Sequence, residues 1–213
     1  MNVTIDIGNT LTKIAVFDKN ELTEIFYDRN GSLENFPEIC DKYSIENGIV
    51  ATVKEIGTNA RKQIENCLFP ILWLTHKTKL PIVNLYKTPE TLGYDRIAAV
   101  VGANDRFPGK NILVIDAGTA ITYEFIDAES QYHGGNISPG LQMRFNALHH
   151  YTERLPLIQR EGEVAGISKD TETAIRSGVV KGIEYEIRGY ISDFKEKYPD
   201  LLIFLTGGGW FFF

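Results

Sequence analysis

An α/β fold in two similar lobes is predicted by three observations: β-rich runs alternate with helical patterns, one strand-turn-strand motif occurs twice, and breaker residues separate the copies. Short apolar runs ending at Asp, Gly or Thr predict strands over residues 2–6, 12–17, 48–53, 111–116, 121–126 and 201–206. Helical spacing covers residues 32–43, 58–68, 89–104, 141–151 and 169–198, the last long enough to contain a break. Laying VTIDIGNTLTKIAVF over LVIDAGTAITYEFID superposes Asp6 on Asp116, Gly8 on Gly118 and Thr12 on Thr122. The breaker cluster FPGKN at 107–111 divides the chain into an N-terminal lobe, 1–109, and a C-terminal lobe, 110–213.

At 213 residues, with 43% hydrophobic and 23% charged content, the chain can bury a substantial core. A net charge of −6 weighs against a surface built to neutralise nucleic acid phosphates. The opening residues MNVTIDIGNT carry no basic leader and no sustained apolar stretch, so a cytoplasmic protein with neither signal peptide nor membrane span is expected. Cys40 and Cys67 are isolated from each other and lack metal-ligand spacing, so free, buried or partly buried thiols are expected.

In DIGNT (6–10) the glycine lets backbone approach an anion, while Asn9, Thr10 and Thr12 offer donors beside exposed turn amides. Asp6, at the carboxyl end of the first strand, suits a hydrated Mg²⁺ bridging nucleotide phosphates, because that hard ion prefers oxygen ligands and retains water. Lys13 could add positive charge, although strand alternation could also point it away. DAGTAIT (116–122) repeats the device, with Thr119 as a donor and Asp116 able to hold a cation. In each copy the plainer reading is a tight hairpin and nothing more. Asp95 and Arg96 open an apolar helix, where a buried Asp can act as general base and Arg can clamp an oxyanion; a surface ion pair is the plainer reading. GGNISPG (134–140) is too rich in Gly and Pro for a strand interior and reads as a loop, lining a cleft or simply connecting. LTGGG (205–209) reads as a strand and a permissive turn, and His149 and His150 as a solvated helix end. Neither a Walker loop nor a G-x-G-x-x-G motif occurs, so a bound nucleotide would use another geometry.

The ordered set DIGNT, GYDR (93–96), DAGTAIT, GGNISPG, TETAIRSG (171–178) and LTGG (205–208) resembles the type III pantothenate kinases over nearly the whole chain. The resemblance implies a duplicated actin-like, ribonuclease H-like fold and ATP-dependent phosphorylation of pantothenate to 4′-phosphopantothenate on the way to coenzyme A. It implies that Asp6, Ile7, Gly8, Asn9, Thr10, Leu11, Thr12 and Lys13 cradle ATP with Mg²⁺, that Thr119 contacts phosphate, and that Asp116 holds a monovalent cation, K⁺ or NH₄⁺. Tyr86, Gly93, Tyr94, Asp95, Arg96 and Thr171 would contact pantothenate, with Asp95 taking the hydroxyl proton and Arg96 orienting the substrate. A homodimer is implied, the second substrate wall coming from the partner subunit.

The family pattern continues beyond TGG through an acidic residue and a helical stretch, whereas this sequence ends GGGWFFF, so either a truncated C-terminus or a non-native terminal tail is expected. Two alternatives are a kinase of the same superfold acting on a sugar or carboxylate, and a nucleotide-binding regulatory protein acting through protein contacts. GYDR favours pantothenate over the first.

Overall fold

The computed structural model describes residues 1–9, 11–29 and 31–208. Among these the order is β1 (Asn2–Ile7), β2 (Thr12–Asp18), β3 (Glu21–Asp28), α1 (Phe36–Lys42), β4 (Asn47–Thr52), α2 (Thr58–Glu65), β5 (Ile71–Trp73) and β6 (Val83–Asn84). A 3₁₀ turn (Pro89–Thr91) precedes α3 (Tyr94–Arg106), β7 (Ile112–Ala117), β8 (Ala120–Ile126), β9 (Gln131–Pro139), α4 (Leu141–His150), α5 (Thr171–Lys197) and β10 (Leu202–Thr206). The chain forms two compact units, one of Met1–Lys79 with Thr88–Ala98, the other of Leu80–Lys87 with Ala99–Phe213.

The first unit holds a sheet of order β3-β2-β1-β4-β5, the second a sheet of order β10-β7-β8-β9-β6. Four strands of each share one wiring, and the fifth differs, β5 lying beside β4 in the first unit and β6 beside β9 in the second. Three strands form an antiparallel meander and a later strand returns parallel to the first, β4 beside β1 in one unit and β10 beside β7 in the other. This is the α/β, duplicated actin-like architecture.

In the first unit, alternation along β1 and β2 buries Val3, Ile5, Ile7, Ile14 and Val16 against Phe36, Ile39, Ala60 and Ile64 of the two helices. In the second, Leu113, Ile115, Ile121, Tyr123 and Phe125 pack on α4 and α5 through Phe145, Ile175, Val179, Ile183 and Ile187. The last four recur every four residues, a seam that keeps α5 against the sheet, and the expected break in α5 does not occur. Asp170 caps it, accepting the Thr173 N–H at 2.9 Å, and Lys195 and Lys197 complement its carboxyl end.

Two expectations are corrected. Residues 134–139, expected as loop, belong to β9, because glycine is what lets that strand approach β8: a Cβ on Gly135 would overlap the Tyr123 carbonyl, and Pro139 sits at the strand end. Cys40 and Cys67, expected to be isolated, both line a cavity of about 620 Å³ with Phe36, Tyr43, Gln63 and Phe69. Both thiols are free and half-buried. Burial, reinforced by the neighbouring Cys67, pushes the Cys40 thiol up to about 12.

Candidate functional site

In the first unit, Asp6 ends the polar face of β1 and pairs across the strands with Lys13. Cross-strand partners share a face, so Lys13 points with Asp6 and not away from it. The intervening turn closes through the Gly8 N–H to the Leu11 carbonyl, at 3.2 Å, leaving Asn9 exposed. Ile7 is buried in the core, Leu11 is half-buried, and Thr10 lies outside the described residues. Alternation turns Thr12 inward: it is 1% exposed, and its hydroxyl has no hydrogen-bond partner among the described residues.

Burial raises the Asp6 carboxyl above its ordinary value, with Lys13 opposing the shift and the charge of Asp95 adding to it. Asp95 stands in the first turn of α3, its Oδ1 accepting the Arg96 N–H at 2.9 Å. It is exposed and Arg96 is the buried member, at 6%, which reverses the expectation of a buried Asp. The reason is helical: Arg96 and Ile97 turn inward with Val100, while Asp95 stands on the opposite side. A Cβ on Gly93 would displace the Asp95 carboxylate from its present position; Tyr94 is half-buried.

Parallel pairing of β1 with β4 sets Ile7 opposite Thr52 and lets the Val53 N–H reach the Ile7 carbonyl at 3.2 Å. Thr52 then shapes the following turn, its Oγ1 donating to the Lys54 carbonyl at 2.6 Å. Thr52, Lys54, Glu55 and Glu90 line a cavity of about 530 Å³ together with Gly93 and Tyr94. Sequence reasoning missed these four, although β4 was legible as a strand. The signal was available in the rule that ligands gather at the carboxyl ends of parallel strands.

In the second unit, Asp116 pairs with Thr122, and the Gly118 N–H closes the turn to the Ala120 carbonyl at 3.0 Å. This hairpin is one residue shorter than the first. Lys13, not Thr12, therefore corresponds to Thr122, and Thr12 corresponds to buried Ile121, which corrects the ungapped superposition. Asp116 is half-buried, with Gly207 packed against it: at φ +95° no Cβ could be placed there without overlapping Asp116 Oδ1 and the Ala117 carbonyl. Thr119 is exposed, and its carbonyl accepts the Gly140 N–H at 3.2 Å. Tyr86 stacks on Tyr132, ring centroids 6.3 Å apart, with Gly134 against its edge. Thr171 is exposed at the start of α5.

Among the described residues no three His, Cys, Asp or Glu side chains gather as a metal site. The donor set nevertheless fits a hydrated Mg²⁺ at Asp6, where a carboxyl raised by burial and by a second carboxylate gains from a cation that supplies its own waters. Asp116 offers a carboxylate beside the Ala117 carbonyl, hard oxygen atoms of the type a potassium ion accepts. No helix among the described residues is long and apolar enough to cross a membrane.

Solved structures share the architecture at low identity. A Campylobacter jejuni protein described as a conserved Baf family transcriptional activator is 22% identical with a TM-score of 0.59, over 99% of this chain and 85% of that one. A Listeria monocytogenes protein described as an N-acetylmannosamine kinase is 12% identical with a TM-score of 0.54, over 97% and 83%. At sequence level, the type III pantothenate kinase of Bacteroides fragilis strain YCH46 is 59% identical over 213 residues, all of this chain and 88% of the relative. The family model for type III pantothenate kinase matches residues 2–193, and the chain belongs to the type III pantothenate kinase family.

Proposed function

We propose that this chain transfers the γ-phosphoryl group of ATP to the primary hydroxyl of pantothenate, giving 4′-phosphopantothenate, the committed step of coenzyme A synthesis. The observation that carries the reading is the family match across residues 2–193. The two Asp-terminated hairpins and the GYDR helix start support it.

In this reading Ile7, Gly8, Asn9, Thr10, Leu11 and Lys13 surround the ATP phosphates, while Thr12, turned inward at 1% exposure, backs the cradle without touching them. Asp6 orients the waters of the nucleotide's Mg²⁺, which when bound supplies charge neutralisation. Thr119 donates to a phosphate oxygen, and Asp116 holds K⁺ or NH₄⁺. Asp95 accepts the hydroxyl proton as the substrate oxygen attacks phosphorus, and Arg96 holds that substrate in line. Tyr86, Gly93 and Tyr94 form further substrate contacts.

Thr171 adds a further substrate contact, and the family match supports a homodimer in which the second substrate wall comes from the partner subunit. Each lobe, 1–109 and 110–213, is read as one actin-like half of the working enzyme. The site of action is the cytoplasm, and net charge −6 supports a protein that binds no nucleic acid.

ADP release measured with pantothenate, glucose or acetate, in potassium and then in sodium, tests the reading. Turnover with pantothenate alone, dependent on potassium, is expected. Equal rates with glucose or acetate would move the chain to another substrate class, and no turnover by protein that binds MgATP would favour a regulatory role.

A further inference from the structure

A compact polar group ties β8, β9, α4 and α5 together in the second unit. Glu186 Oε1 accepts from Tyr123 Oη at 2.7 Å and from Ser138 Oγ at 2.5 Å, while Glu186 Oε2 accepts from Arg144 Nη2 at 2.5 Å. Arg144 also folds back on β9, donating from Nη2 to Ser138 Oγ at 3.1 Å and from Nε to the Pro139 carbonyl at 2.7 Å. Burial opposes the charged form of Glu186, but the hydrogen bonds from Ser138, Arg144 and Tyr123 together outweigh it and hold the carboxyl below its ordinary value. Burial, with Glu186 adding to it, pushes the Tyr123 phenol up, so it remains a donor.

An ion pair of this kind adds little net stability over an apolar contact of similar volume; what it adds is direction. Direction matters here because of what lies beside it. Ser138 and Pro139 are the register partners of Ile121 and Ala120, and Gly140 follows, bonded to the Thr119 carbonyl. A Cβ on Gly140 would overlap the carbonyls of Gly118 and Thr119, so the turn rests directly on the corner that Arg144 and Glu186 clamp.

We propose that Arg144 and Glu186 are positioning residues for the 118–119 turn, fixing the β9–α4 corner so that Thr119 is held in phosphate-binding geometry. The inference rests on the assignment of Thr119 to the nucleotide and goes beyond it by naming the residues that hold the turn.

The test is calorimetric titration of MgATP into the full chain without pantothenate, for wild type, Glu186→Gln, Arg144→Met and the double variant, with melting temperatures recorded. Each single change is expected to raise the MgATP Kd about tenfold, with the double variant no weaker than either single, because a misplaced turn is lost once. In parallel kinetics the KM for pantothenate stays within about twofold of wild type. An unchanged MgATP Kd in folded variants overturns the proposal, as does an equal rise in the pantothenate KM, which marks general loosening. Should either single variant fail to fold, Ser138→Ala decides: it deletes one donor and is expected to weaken MgATP about threefold, and no change overturns the proposal. Wild type that binds MgATP without phosphorylating pantothenate sinks the substrate assignment alone, and wild type that binds no MgATP overturns both readings.

Discussion

Asp95 and Glu186 are both carboxylates with hydrogen-bond partners, yet they answer to different tests. Among the described residues Asp95 bonds locally, to the N–H of the next residue, so its amide analogue keeps the helix start intact. Asp95→Asn is expected to melt within a few degrees of wild type while turnover falls by about 10²–10⁴, the range of a lost general base; an Asn variant with wild-type turnover would remove the assignment. Glu186 carries a stability that depends on pH. Its folded carboxyl lies below the ordinary 4.5, so the stabilisation is fully present above that value and disappears as pH falls through the lower folded one. Thermal melts should therefore separate wild type from Glu186→Gln most at neutral pH, with the gap closing below 4.5. A gap independent of pH would show that the charge on Glu186 contributes nothing.

At the scale of elements, glycines with and without room around them should respond with opposite sign. A methyl on Gly135 would overlap the Tyr123 carbonyl and the Glu124 carboxylate within the paired strands, whereas Gly189 lies mid-helix in α5 with open space around it. Gly135→Ala is expected to destabilise by about 2–4 kcal/mol and Gly189→Ala to stabilise by up to about 1 kcal/mol, read from urea midpoints. Equal shifts would refute the close-approach account of β9. The same contrast explains what was legible in the sequence. The hairpins of β1–β2 and β7–β8 were readable because one face of each is apolar and the ends are marked by Asp and Gly. Strand β3 was not, since its half-buried face is Glu24, Phe26 and Asp28 while Ile25 and Tyr27 are exposed, so its alternation is not written in apolar residues. Strands β5 and β6 are three and two residues long, too short for any pattern. In β9 glycine signals a close neighbour, which no local reading of GGNISPG can distinguish from a loop.

For the whole molecule, the repeat gave the architecture but misjudged one register, because an ungapped overlay cannot see a turn shortened by one residue. Likewise GYDR, DIGNT and DAGT could be picked out as motifs, whereas Lys54 and Glu55, about forty residues away in sequence, become neighbours of Gly93 only through the fold. Sedimentation of the full chain is expected to give the mass of a dimer, and a monomer with full turnover would end the homodimer proposal. The pressure of the Asp95 charge on the Asp6 carboxyl has a further consequence, for the order in which components arrive. Two carboxylates in an acidic protein repel a bare polyphosphate, so the nucleotide should enter already chelated, with the metal aboard. Uncomplexed ATP in excess over magnesium should then compete poorly with MgATP, and potent inhibition by the bare nucleotide would mean that Lys13 outweighs both acids.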